Sequence, residues 1–309
     1  MTTRREILIG LTTRRDTPIP DFFIVGSPKS ATTALFEQLG SHPQIFVPRV
    51  KEPSVFGAEH NPSRRRMSFD EYLALFMDAG NAVRIGEGST TYLYSRTAPS
   101  EIRDFNPNAQ IIIMLRDPIE VMHSQHSEAV WSGFEPIRDF AAALEAQDRR
   151  RAEGLPPERA GPYYRDIVDF ADHVSRYFDT FGRERVRVIV FDDWIKDTAG
   201  AYRQTLEFLE VDPTFVPSFR VVNPNRRIRS DRLHELIREP PWVLQRLTRP
   251  IIPAGMRRKI RRTLFELNSV VSREPLDPAV RARLRTEFAP EIERLGKLID
   301  RDLSAWTRD

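Results

Sequence analysis

A chain of 309 residues with 40% apolar content can bury a full core, as one large domain or as one domain with appendages. Its 47 lysines and arginines stand against 44 acids, and a net charge of only +3 argues against a general nucleic-acid binder. There is no cysteine, which removes disulfides, thiolate catalysis and zinc–thiolate sites.

Residues 1–20 show little periodicity and read as an N-terminal arm. Their apolar stretch, Ile7 to Leu11, is too short to span a bilayer and has no leader-cleavage pattern after it. With the missing cysteines, this leads to the expectation of a soluble, cytoplasmic protein. Four β-type runs then stand out: FFIVG (22–26), VRIGEG (83–88), AQIIIMLRD (109–117) and RVRVIVFDDW (185–194). Helical patterns cover 32–40, 69–79, 98–105, 118–132, 137–151, 166–181 and 198–209, with a last helix around 278–300. Apolar runs without alternation, separated by helices, predict an α/β fold around a buried parallel sheet.

RAEGLPPERAGPYY (151–164) is a Pro/Gly-rich loop suited to a lid. From 221 the chain reads as helical and basic, broken at Pro240-Pro241, Pro250 and Pro253. The arginines between Arg220 and Arg262 suit an anionic ligand, a membrane surface or a solvated helical face. The expected organisation is one domain over 21–309, with a core to 220 and a basic helical region from 221 to 309.

Ligands of such folds bind beyond the carboxyl ends of the strands. Three strand ends here carry polar chemistry: Gly26–Thr33, Glu87–Tyr92 and Arg116–Ser124. In the first, Lys29 and the hydroxyls of Thr32 and Thr33 precede a helix whose free N–H groups and positive dipole end suit a phosphate. Read alone, KSATT is equally a helix cap beside a surface lysine. The order is also wrong for an ATPase, where the lysine directly precedes the Ser/Thr after a second glycine, whereas Pro28 stands before Lys29 here. In the third, Arg116 closes a strand, Pro118 opens a helix, and Ser124 lies two turns in. Arg116 and Ser124 together suit a second phosphate, and Arg116-Asp117 alone suits a structural ion pair.

The stretches VGSPKSATTALFEQLGSHPQI, IIIMLRDPIEVMHSQH and YFDTFGRERVRVIVFDDWIKDTAGAYRQTLEFLEVDP resemble the sulfotransferases that use 3′-phosphoadenosine 5′-phosphosulfate (PAPS). Bacterial and carbohydrate- or heparan-type members are the most similar. The likeness is good over about 20–215 and looser beyond. It implies a P-loop-like sheet flanked by helices, and sulfuryl transfer from PAPS to a hydroxyl, less often an amine, with release of 3′,5′-ADP. It implies a glycan, glycolipid or small-metabolite acceptor, and no metal requirement. Lys29 would stabilise charge on the leaving phosphate. Thr32, Thr33 and the backbone of Ser30 and Ala31 would hold the 5′-phosphate. Arg116 and Ser124 would hold the 3′-phosphate, and NPNRRIRSD (223–231) matches a basic loop folded over it, with Arg226, Arg227 and Arg229 as candidates.

Related enzymes carry a glutamate base in a KEPHFF-like stretch. KEPSVFG places Glu52 there, beside Lys51, with Ser54 where relatives often have histidine. In GEGSTTYLYS, Gly88 replaces a lysine, which suggests a different acceptor pocket lined by Ser89, Thr90 and Tyr92, with Glu87 as a reserve base. Ala31 replaces the usual loop glycine, a change a helix start would tolerate. His123 and His126, three apart on a helix, lack a third ligand and read as residues that pack against, or point into, the acceptor cleft rather than a metal pair. Arg64, Arg65 and Arg66 suit an acidic acceptor or a solvated loop. Two other classes stay open at this level: a P-loop kinase or nucleotide-binding NTPase, and a non-enzymatic module in which the basic C-terminal third binds a membrane surface or polyanion.

Overall fold

The structure, a computed structural model, describes residues 18–57, 59, 67–155, 163–219, 226–230, 233, 236–237, 246, 253–271 and 275–308. The arginines Arg64–Arg66, most of the N-terminal arm and the centre of the 151–164 loop lie outside the described residues. The chain divides into two compact units. One comprises Met1–Met122, Arg165–Val222 and Arg281–Asp309, and the other His123–Tyr164 and Asn223–Val280.

The first unit holds a five-stranded parallel sheet in the order β2-β3-β1-β4-β5. Its strands are β1 (Phe22–Gly26), β2 (Ile45–Phe46), β3 (Arg84–Gly88), β4 (Gln110–Leu115) and β5 (Val186–Val190). Helix α1 (Thr32–Gly40) follows β1, α2 (Phe69–Ala74) follows β2, α3 (Ala98–Phe105) follows β3, and α4 (Pro118–Ser132) follows β4 and runs on into the second unit. Every residue of β1 is buried, as expected where helices cover both faces. On one face Phe22, Ile24, Ile112 and Met114 pack with Leu35, Phe36 and Leu39 of α1 and with Tyr202 and Leu206 of α9 (Thr198–Phe208). On the other, Phe23 meets Phe56, whose ring contacts Tyr72, Tyr92 and Phe105 edge-on or tilted at 5.5–5.8 Å.

The second unit contains α5 (Phe140–Ala152), α10 (Ala254–Leu267) and a two-stranded antiparallel ribbon of β6 (Arg226–Ile228) and β7 (Ser269–Val271). Asp139 caps α5, accepting from the Ala142 N–H at 2.7 Å. Asn268 fastens the ribbon: its side chain accepts from the Ser230 N–H at 3.0 Å and donates to the Ser230 carbonyl at 2.8 Å.

Most expected elements recur, with several differences. The edge strand β2 is not among the four β-type runs, and β7 falls in the region read as helical. The 69–79 pattern is α-helix only over Phe69–Ala74, followed by a 3-10 turn at Met77–Ala79. The run 185–194 is strand only to Val190. Phe191–Lys196 is helix (α8), with Asp192 and Asp193 in the first turn, where acids favour a helix and disfavour a strand. The 166–181 pattern is α6 (Tyr164–Ile167) and α7 (Phe170–Phe181). The segment around Arg226, read as a loop opening a helical region, includes strand β6.

Candidate active site

The first loop departs from β1 at Gly26, whose φ is 150° and where a Cβ would lie 2.6 Å from the Leu93 Cβ. Ser27 and Ser30 are buried, with their hydroxyls 2.5 Å apart, and they fix the turn from within. Lys29 (φ 63°) and Ala31 (φ 66°) are both left-handed. Ala31 is the N-cap of α1 and supplies no side-chain hydrogen bond to its first turn. This corrects the reading of Ala31 as an ordinary helix start. Glycine would adopt this backbone freely, whereas alanine carries roughly 1–2 kcal/mol of strain. It also removes the side-chain-cap alternative for KSATT. The first turn receives no side-chain cap from Ala31, and its N–H groups follow two left-handed loop residues, a setting that suits an anion. Thr32 is buried and Thr33 half-buried.

Arg116, just past β4, reaches this loop. Its guanidinium donates to the Lys29 carbonyl at 3.1 Å and lies 4.6 Å above the Phe191 ring at the start of α8. It faces Glu120, one helical turn on, at 3.5 Å, and Glu120 also pairs with Arg281 at 2.7 Å. The ion pair read for Arg116-Asp117 is therefore with Glu120. Asp117 instead caps α4 through the Ile119 N–H at 2.8 Å, and burial raises its pKa to about 6. Sequence reasoning missed Phe191 and Glu120. The i,i+4 spacing of Arg116 and Glu120 was a visible signal for the second.

Glu52 stands at the adjoining strand end. It is left-handed (φ 61°), and its N–H donates to the Gly88 carbonyl at 2.9 Å, tying it to the end of β3 beside β1. Its carboxylate accepts from Lys51 Nζ at 2.9 Å and Thr90 Oγ1 at 3.2 Å, with 40% of the side chain exposed. Ser54 is left-handed as well (φ 50°), so two residues of this short loop hold a conformation that must be enforced from outside.

The enforcement comes from Glu87, which is fully buried. Its carboxyl accepts from Ser89 Oγ at 2.5 Å and Tyr72 Oη at 3.0 Å, and also from Tyr92. Ser89 Oγ in turn accepts from the Ser54 N–H at 3.1 Å, and Tyr92 Oη from the Val55 N–H at 3.0 Å. Ser89 and Tyr92, expected to line an acceptor pocket, are fully buried and fasten the Glu52 loop to β3. Glu87, the expected reserve base, is the centre of that fastening. Gly88 leaves room that Phe36 of α1 fills, 2.9 Å from a Cβ built there.

Burial raises the Glu87 pKa to about 7, against the lowering effect of the three hydroxyls and Lys51. The folded protein therefore holds a proton there that the unfolded chain releases near its ordinary value of 4.5. Stability contributed by this group is full below that value and is lost as pH rises towards 7. Relative to Glu87→Gln, the wild type should lose about 3 kcal/mol of unfolding free energy across that window. Urea titrations of both proteins at its two ends measure this, and equal differences at both ends would contradict it.

The remaining candidates belong to the second unit. Ser124 is buried in α4. Arg229 is exposed at the end of β6 and donates through its N–H to the Asn268 carbonyl at 2.8 Å. Arg226 and Arg227 pair in β6 with Val271 and Val270. The His126 Nε2 lies 2.9 Å from the Ile137 carbonyl, and its ring packs on Phe140 and Tyr164. His123 packs on Phe140.

Residues 19–230 match the sulfotransferase domain family model. The chain belongs to that family. A solved sulfotransferase from Alicyclobacillus acidocaldarius superposes with a TM-score of 0.71 at 28% identity, covering 94% of this chain and 100% of that one. Carbohydrate sulfotransferase 15 of Mus musculus is 22% identical, over 93% of this chain and 54% of that protein. The bifunctional heparan sulfate N-deacetylase/N-sulfotransferase 4 of Mus musculus is 25% identical, over 64% of this chain and 23% of that protein. The chain thus spans about half or less of the length of the curated relatives it matches.

Proposed function

We propose that the protein transfers a sulfuryl group from PAPS to a hydroxyl, less often an amine, of a glycan, glycolipid or small metabolite. One observation carries this reading. Lys29 sits in a left-handed loop at the uncapped start of α1, and the Arg116 guanidinium rests on its carbonyl. Lysine, helix N-terminus and arginine thus gather at the ends of adjacent parallel strands, where this fold class binds ligands. Family membership supports the reading, and the relatives named for carbohydrate and heparan sulfate support a glycan acceptor. The kinase-type alternative lacks its Gly-Lys-Ser/Thr order in this loop.

The bound donor supplies a sulfuryl group joined to the 5′-phosphate through oxygen. The first-turn N–H groups of α1, with Thr32 and Thr33, hold that phosphate. Glu52 accepts the acceptor's proton as its oxygen bonds to sulfur. The sulfur–oxygen bond to the phosphate breaks, and its electron pair stays on the phosphate oxygen next to the Lys29 ammonium. Arg116 binds the 3′-phosphate of the same nucleotide. The proposal stands on residues of the first unit alone. Labelled PAPS incubated with a panel of glycan, glycolipid and small-molecule acceptors tests it. Transfer to any of them supports it, and the absence of both transfer and slow PAPS hydrolysis would sink it.

Arg116→Ala should weaken 3′,5′-ADP binding about 10- to 100-fold while leaving kcat at saturating PAPS within a few-fold, since it loses a charge-assisted contact made in ground and transition states alike. Calorimetry with steady-state rates measures both.

A further inference from the structure

Helix α10 of the second unit carries a feature that sulfuryl transfer does not use. Its apolar side chains Met256, Ile260, Leu264 and Leu267 are 55%, 44%, 41% and 67% exposed. They recur at steps of four, four and three, so they form one stripe along the helix. An apolar stripe of this kind normally faces a core, and here it faces outward. The same helix contains Arg257, Arg258, Lys259, Arg261 and Arg262 against a single acid, Glu266. Leu233 and Leu236, in the same unit, are also exposed.

Three occupants of the stripe can be compared. A second copy would bring five cations against five, and the like charges would oppose the contact. A soluble polyanion would satisfy the cations and leave four apolar side chains in water. An anionic lipid surface satisfies both, because acyl chains take the stripe and headgroups take the cations. At 14 residues the helix is about 21 Å long, short of the roughly 30 Å hydrocarbon core, so it would lie along the surface. Among the described residues, no helix is long and apolar enough to cross a membrane.

We propose that α10 is an interfacial helix that docks the protein on an anionic lipid surface. This docking does not depend on the identity of the sulfuryl donor.

Co-sedimentation of the full chain with vesicles tests it. Phosphatidylcholine vesicles containing phosphatidylglycerol should bind the protein, and phosphatidylcholine alone should bind it at least tenfold less. Binding should fall about tenfold as salt rises to about 0.5 M. The double substitution Ile260→Glu with Leu264→Glu should lower binding tenfold or more, with 3′,5′-ADP affinity within twofold of wild type. Should that variant misfold by circular dichroism, Arg258→Gln with Lys259→Gln and Arg262→Gln leaves the stripe intact and should still abolish the preference for anionic vesicles. Equal binding to neutral vesicles, or no vesicle binding, overturns the proposal. A wild-type dimer that Ile260→Glu with Leu264→Glu converts to a monomer in light scattering also overturns it, since the occupant is then a second copy.

Discussion

Lys29→Ala should lower kcat about 10²- to 10³-fold, the cost of removing one preorganised group from developing negative charge. The reason is local. Lys29 is left-handed, and alanine at that φ carries a similar backbone cost, so the loop keeps its shape. The buried Ser27–Ser30 pair and the Arg116 bond to the residue 29 carbonyl do not use the lysine side chain. What disappears is the Lys29 ammonium in the loop before α1. The 3′,5′-ADP product has no sulfuryl group, so its affinity should change only about fivefold, the part of the charge that acts on the phosphate itself. Rates with labelled PAPS, set beside calorimetry of 3′,5′-ADP, separate the two effects. An unchanged kcat with a large loss of affinity would restrict Lys29 to ground-state binding.

Glu52→Gln should lose activity by about 10²- to 10⁴-fold, the usual contribution of general-base catalysis, with 3′,5′-ADP affinity nearly intact. Glutamine matches the shape and can still accept from Thr90 Oγ1, and the backbone bond to Gly88 is untouched, so the loop stays fastened. The change removes proton acceptance and the charge of the ion pair with Lys51. Glu87→Gln is the natural comparison. It leaves Glu52 in place and perturbs only its anchorage, so its activity should fall less. Full activity in Glu52→Gln would refute the base assignment.

The core was legible because its signals are local. FFIVG and IIIML are apolar without alternation, which a strand covered on both faces requires, and the loop glycine, lysine and hydroxyls follow at once in the chain. Lys29 and Arg116, read separately from two strand ends, meet through a 3.1 Å hydrogen bond. Other parts were hidden for identifiable reasons. VIVFDDW continues an apolar run through Phe191 and Trp194, so its change from strand to helix rests on two aspartates alone. The β6–β7 ribbon pairs two three-residue segments some forty residues apart, too short for any periodicity to show. The left-handed state of Ala31 cannot be read from a residue type that rarely adopts it. The role of Glu87 depends on Tyr72, fifteen residues earlier on α2, and on the loop amides that its hydroxyl partners hold in turn. Read along the sequence, it was one more polar residue at a strand end.

Calorimetric titration of the unmodified protein with 3′,5′-ADP and, separately, with ATP and magnesium tests the central claim most directly. A lysine loop paired with an arginine at the next strand end predicts that 3′,5′-ADP binds at least tenfold more tightly than ATP, and does so without the metal. Equal or tighter binding of ATP with magnesium would contradict the assignment of this site to PAPS.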